Sequence, residues 1–308
     1  MAQKDLAEKG LERHNAIFAD ILNGGVFGGE QAIDPNALHD MDTQVSFYDG
    51  TKLRELRRDV VKLLDDEVLH LACIGLENQS SPDPDMPFRV IGYDGANYEA
   101  QCDRGGKHYP VITLVVYFNY KRTWKGPLTL GEAVTVSPRF KPLFHDYGIN
   151  LISVADMTRE QVNRFKSDFK VVADFFVQKK QTNHYEPPKG IKLDHPTDTL
   201  RMLDTFGHTN FGAAFNLDDP EGVPDNMYDI VKEFENKGID IGRQETAAAI
   251  SSTQAQCLIS ALEQRFPDFP DSLKNSIRQV TDSKKLIELS FTAGAAHSLD
   301  EIARQLSV

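Results

Sequence analysis

The run Tyr109–Phe118 (YPVITLVVYF) constrains the fold more than any other segment. It is almost continuously apolar and rich in β-branched residues, the pattern of a strand covered on both faces. A central strand of this kind needs neighbouring strands on its edges and other elements above and below it.

Candidates for those neighbours lie on both sides. Asp59–Leu64 (DVVKLL) and Val68–Leu76 (VLHLACIGL) have strand composition, and Asp65-Asp66-Glu67 between them has the length of a hairpin connection. They are predicted to be adjacent antiparallel strands. A helix from Lys52 through Asp66 competes, because Leu53, Leu56, Val60, Leu63 and Leu64 also fit one helical face. Thr43–Tyr48 (TQVSFY) alternates as a short strand before Asp49-Gly50, and Gly148–Val154 is a further strand. Helices are predicted over Leu6–Leu22, stopped by Asn23-Gly24-Gly25, and over Phe88–Gln101, where Gly92 and Gly95 weaken the pattern. Another runs from Thr158 to about Gln178, with Thr158 and Gln161 spaced as a capping box. After the polar, proline-bearing stretch Lys179–Pro196 the pattern is almost wholly helical: Tyr228–Asn236, Arg243–Arg265, Ser272–Val280, Ser283–Ala296 and Ser298–Leu306. The expected organisation is a first domain over 1–180, a linker over 181–196 and a helical region over 197–308.

Charge and composition narrow the function. The formal net charge of -12 over 308 residues excludes a protein that grips nucleic acid with its whole surface, so any such contact is local. Positive charge gathers at Lys52, Arg54, Arg57, Arg58 and Lys62, and again at Lys121, Arg122 and Lys125. The start MAQKDLAEKGLERH has no secretory pattern and no apolar stretch approaches about 18 residues, so a cytoplasmic location with no membrane partner is expected. Cys73, Cys102 and Cys257 are scattered and are expected as buried, reduced thiols.

The chemistry-bearing residues sit at the ends of the two hairpin strands. Alternation places Glu77 and Gln79 on one face of the second strand, and the far end of the hairpin brings Asp59 towards Glu77. Two carboxylates so placed suit one Mg²⁺ ion, which takes a few oxygen ligands and keeps waters. The residues alone equally allow Asp59 to follow a surface Arg-Arg pair while Glu77-Asn78 opens a loop. Three other signals carry no chemistry. Asp65-Asp66-Glu67 is contiguous and cannot converge on one ion, NGGVFGGE lacks the GK[ST] ending of a phosphate loop, and no HExxH spacing occurs.

RRDVVK (Arg57–Lys62), IGLENQ (Ile74–Gln79), MPFRVIGYD (Met86–Asp94) and YPVITLVVYF occur in this order, with ADILNGGVFGGEQ upstream and KGPLTLGE downstream. Together they resemble the PD-(D/E)XK nuclease family transposases, relatives of the Rpn recombination-promoting nucleases, over roughly the first 180 residues. The resemblance implies an α/β fold: a restriction-endonuclease-like mixed sheet core flanked by helices, here followed by an all-helical C-terminal region. It implies DNA phosphodiester hydrolysis with Mg²⁺ or Mn²⁺, linked to transposition, recombination or phage defence. Asp59 matches the family's first acid and Glu77 the second, as metal ligands. Gln79 stands where the family generally has lysine; an amide orients water but supplies no positive charge, and active glutamine variants occur in this superfamily. Arg89 on the following helix is a candidate for that missing charge. Arg54, Arg57 and Arg58 are candidates to hold the phosphate backbone, with ion pairs to Asp40, Asp42 or Glu55 as the alternative. A homodimer would make a double-strand cut most simply. The alternative reading is a nuclease-derived binding or regulatory protein that has lost cleavage.

Overall fold

The computed structural model describes residues 10–41, 44–48, 53–66, 70–104, 108–266, 268–296 and 298–306, with the side chains of 44–48, 53–57, 70–71, 104, 220, 240–247 and 295 outside that description. The chain divides into two compact units, 1–232 and 233–308.

The first unit is built on a five-stranded mixed sheet. Its strands are β1 (Leu38–Asp40), β4 (Val60–Asp66), β5 (His70–Gln79), β6 (Val111–Tyr117) and β7 (Asn150–Ser153), in the order β1-β4-β5-β6-β7. A separate hairpin pairs β2 (Gln44–Tyr48) with β3 (Leu53–Arg57). β4 and β5 pair antiparallel, whereas β5, β6 and β7 run parallel. The predicted hairpin therefore exists, and the competing helix over Lys52–Asp66 does not. Asp65 and Asp66 extend β4 opposite Leu71 and His70. Glu67, assigned to the turn, lies outside the described residues.

β6 lies inside the sheet between β5 and β7 and is covered over its second half, with Val115, Val116, Tyr117 and the following Phe118 all at 0% exposure, while Ile112 near its start is 37% exposed. Helix α1 (Asn15–Gly25) precedes the sheet in sequence, and α2 (Met86–Arg104) supplies Met86 and Val90 against Val115 on one face. On the opposite side Phe118 meets Phe176 of α3 (Phe169–Thr182) at 5.3 Å and stacks on Phe206 of α4 (Pro196–Gly207) at 4.7 Å. Residues 196–207 thus pack with the sheet unit, and the compact division falls after Lys232 rather than at residues 181–196.

The helix expected over Thr158–Gln178 is interrupted. The capping box at Thr158 and Gln161 is present, but it starts only a short turn, Arg159–Val162. Buried Asp20 on α1 explains the break: its Oδ2 accepts from Lys166 N at 2.8 Å, Ser167 N at 2.7 Å and Ser167 Oγ at 2.6 Å. These bonds hold the backbone at 166–167 outside a helical ladder before α3 begins. Phe165 fits there because Gly24 has no side chain, a Cβ at Gly24 falling 2.4 Å from its ring.

Towards the N-terminus a 3₁₀ turn at Leu11–Arg13 precedes α1, which runs two residues past the expected stop at Asn23. Residues 6–9 of the predicted first helix lie outside the description. The second unit contains most of α5 (Met227–Arg265), one helix where two were predicted, then α6 (Asp271–Arg278), α7 (Ser283–Ala295) and α8 (Leu299–Leu306). Its core joins Leu258, Leu262, Ile277, Leu286, Leu289 and Ile302. Of the three cysteines, Cys73 is buried, while Cys102 and Cys257 are exposed free thiols rather than buried ones. Among the described residues no helix is long and apolar enough to cross a membrane.

Candidate active site

Val60 pairs with Leu76 in the β4–β5 register, so Asp59, one residue earlier, stands opposite Glu77. The Asp59 carboxylate is held there by the strand itself, its Oδ2 accepting the backbone N–H of Asn78 at 2.8 Å. Glu77 is 3% exposed. Its Oε1 accepts from Gln79 Nε2 at 3.2 Å and from the Arg89 guanidinium, while its buried Oε2 has no hydrogen-bond partner. Burial first, and the charge of Asp59 second, push the Glu77 carboxyl up to about 8, with Arg89, Gln79 and Arg58 pulling the other way.

Arg89 reaches this point from the first turn of α2, where Met86 and Val90 anchor the helix on the sheet. Its Nη1 donates to Asp83 Oδ2 at 2.9 Å and its Nη2 also contacts Tyr93 Oη at 3.1 Å. The cation thus faces the site at the point where Gln79 brings none.

Arg58 is placed differently from the expected phosphate contact. It is 1% exposed, donates through Nη1 to Thr113 Oγ1 at 2.9 Å, and lies 3.7 Å from Asp94 Oδ1. The side chain turns inward because Gly75 on β5 leaves a channel: a Cβ there would fall 2.6 Å from Nη1. Asp94 is closed off by Thr113 Oγ1 at 2.6 Å and Tyr147 Oη at 2.5 Å, so the guanidinium is a buried structural cation. Arg54 and Arg57 lie on β3 opposite Phe47 and Gln44, and their side chains fall outside the described residues.

Sequence reasoning missed Glu12 and Asn78. Alternation turns Asn78 to the face opposite Glu77, where its Nδ2 donates to Oε2 of fully buried Glu12 at 2.7 Å. Buried glutamate is rare enough to be informative in a structure, but in LER of the 3₁₀ turn it has no sequence signature. Among the described residues no group of three or more His, Cys, Asp or Glu side chains is arranged to hold a metal.

A mixed sheet with helices on its faces and an acid pair where its antiparallel and parallel halves meet defines an α/β, restriction-endonuclease-like protein with an all-helical C-terminal region. Residues 46–185 match the model of the family described as "Putative transposase, YhgA-like". No curated protein and no solved structure matches the chain.

Proposed function

We propose that the protein is a metal-dependent DNA endonuclease in which Asp59 and Glu77 hold Mg²⁺ or Mn²⁺ and Gln79 orients the attacking water. The observation that carries this reading is that Asp59, bonded to the amide next to Glu77, brings its charge to a buried Glu77 whose Oε2 has no hydrogen-bond partner. Two hard carboxylate donors fit Mg²⁺, which is commonly held by one or two carboxylates and fills its remaining positions with water and phosphate oxygens. Such an ion supplies positive charge to the phosphate and favours ionisation of a nearby water.

The chain's own groups divide the remaining work. One N–H of the Gln79 side-chain amide donates to Glu77, and its carbonyl oxygen is left to accept from a water and set its line of approach. Arg89 neutralises Glu77 and offers its guanidinium to the charge that develops on the phosphate, the contribution a lysine at position 79 would otherwise make. Arg54 and Arg57 remain the proposed backbone contacts of their segment, and Arg58 supports the sheet beneath the site.

A second reading, a nuclease-fold regulatory protein without turnover, draws on the Arg89–Glu77 ion pair, which balances the charge of the acid through Oε1 without a metal. Nicking of supercoiled plasmid by the full chain with Mg²⁺ or Mn²⁺ separates the two. Nicking that is lost in both Asp59→Asn and Glu77→Gln establishes the endonuclease. No nicking with any divalent ion selects the regulatory reading.

A further inference from the structure

The turn that follows β6 carries a group of cations that the acid-pair site does not use. Gln79 and Tyr117 are register partners on the parallel strands β5 and β6, so their side chains share a face. Tyr117 Oη donates to the Arg122 carbonyl at 2.8 Å and its ring packs edge-on against Trp124 at 5.2 Å. These contacts bring Arg122 and Trp124 back over the face that carries Glu77 and Gln79, where Trp124 also packs against Val115. A second tie fixes the turn to the site strand: Asn119 Nδ2 donates to Ser80 O at 2.8 Å, while Asn119 Oδ1 accepts the Lys121 and Arg122 amides at 2.8 Å each. Ser80 is one residue, about 3.3 Å of strand rise, beyond Gln79.

Lys121, Arg122 and Lys125 are exposed on this turn. Tyr120, just before Lys121, packs on Phe176 of α3 at 6.2 Å and so anchors the start of the turn to the other side of the sheet, with Lys121 Nζ 5.6 Å from its ring. The acids nearby are already neutralised: Asp156 is paired with Lys180, and Asp83 with Arg89. In a chain of net charge -12, three cations held on a turn tied to the site strand form a local positive surface.

We propose that Lys121, Arg122 and Lys125 form the rim that holds the DNA phosphate backbone next to the Asp59–Glu77 site. This rests on the endonuclease reading for the identity of the polyanion. The rim is rigid before binding, since its backbone is held by Asn119 and Tyr117, so little ordering opposes association. Its contacts go to phosphates and carry no sequence preference.

The test is fluorescence anisotropy of a short labelled DNA duplex with full-length protein carrying Glu77→Gln to prevent cleavage, across a salt series. Adding Arg122→Gln and Lys125→Gln is expected to weaken binding at least tenfold at low salt. It should also flatten the slope of log affinity against log salt by about two, one unit for each lost phosphate contact. Arg122→Glu with Lys125→Glu should weaken binding further, with an unchanged thermal midpoint. The same reversal at Lys284 and Lys285, in the second unit, should leave binding alone. Unchanged affinity and slope in the rim variants overturn the proposal, as does an equal loss in the Lys284/Lys285 control, and so does an RNA duplex that outcompetes DNA. Plasmid nicking by the otherwise wild-type chain separates this outcome from the fate of the endonuclease reading. Rim-dependent binding without nicking leaves the rim standing and removes the nuclease; nicking that is insensitive to the rim variants removes the rim alone.

Discussion

Arg89, on the first turn of the helix after β5, donates its guanidinium to Oε1 of Glu77, a carboxylate with 4% of its side chain exposed. The helix thereby delivers a cation to the position where the strand itself carries only the Gln79 amide. In the metal-free protein the pair offsets part of the cost of burying Glu77.

Removal of this cation is expected to affect turnover more than folding. Arg89 is 37% exposed, so its loss should shift unfolding free energy by no more than about 1 kcal/mol. Arg89→Ala should lower the plasmid-nicking rate at saturating Mg²⁺ by roughly 10²-fold, the usual scale for a lost charge-stabilising donor. Arg89→Lys should recover part of that loss. Urea denaturation and single-turnover nicking measured on the same preparations check both halves.

Gln79 is the position at which chemistry and family pattern diverge. Gln79→Lys should raise the nicking rate, because an ammonium there adds positive charge beside Glu77 while still reaching a water. Gln79→Ala should lower it by about 10- to 10²-fold, since nothing then orients the water. Equal rates for all three proteins would remove Gln79 from the site.

The raised Glu77 carboxyl has two pH consequences. Metal binding must displace its proton, so apparent Mg²⁺ affinity should climb by up to about tenfold per pH unit below about 8 and level off above it. Calorimetric titration at pH 6, 7 and 8 reads this directly. For stability the folded state holds the proton after the unfolded chain has lost it. Its contribution is therefore full below the ordinary glutamate range and is lost as pH rises from there through about 8. Glu77→Gln should flatten that slope in metal-free buffer, and an unchanged slope would assign it to other groups.

Gly75 and Arg58 form a matched pair. Gly75→Ala places a Cβ 2.6 Å from Arg58 Nη1 and 2.7 Å from its Cδ, so the buried side chain must move. A loss of about 1–3 kcal/mol is expected from such overpacking. Arg58→Ala leaves Asp94 buried without its nearby cation and should cost about 3–5 kcal/mol. Denaturant midpoints measure both, and a double variant whose loss is less than the sum would confirm that the two changes act on one site.

Much of the fold was legible in the sequence because its signals are local. The β-branched run Tyr109–Phe118 marked an interior strand, though β5 rather than β6 is the middle one, and the hairpin of β4 and β5 followed from two apolar segments with a polar connection. The helix after Pro87 formed despite Gly92 and Gly95. The break between Val162 and Phe169 was not legible, since it is made by Asp20, which lies 146 residues from Lys166 in sequence. The hairpin strand Leu53–Arg57 was likewise hidden behind a helix-compatible pattern.

At the site, the sequence by itself determined which residues share a face and which strand ends meet. The period of a strand is two, so Glu77 and Gln79 had to point together, and an antiparallel register had to bring Asp59 opposite Glu77. Only the tertiary structure decided what surrounds them: Arg89 on Glu77, Glu12 on Asn78, Arg58 under Gly75 rather than on the surface, and the cationic turn tied back to Ser80. Side-chain direction along a strand is set by the backbone of that strand alone. The partner each side chain meets is set by how distant segments pack, which no local spacing encodes.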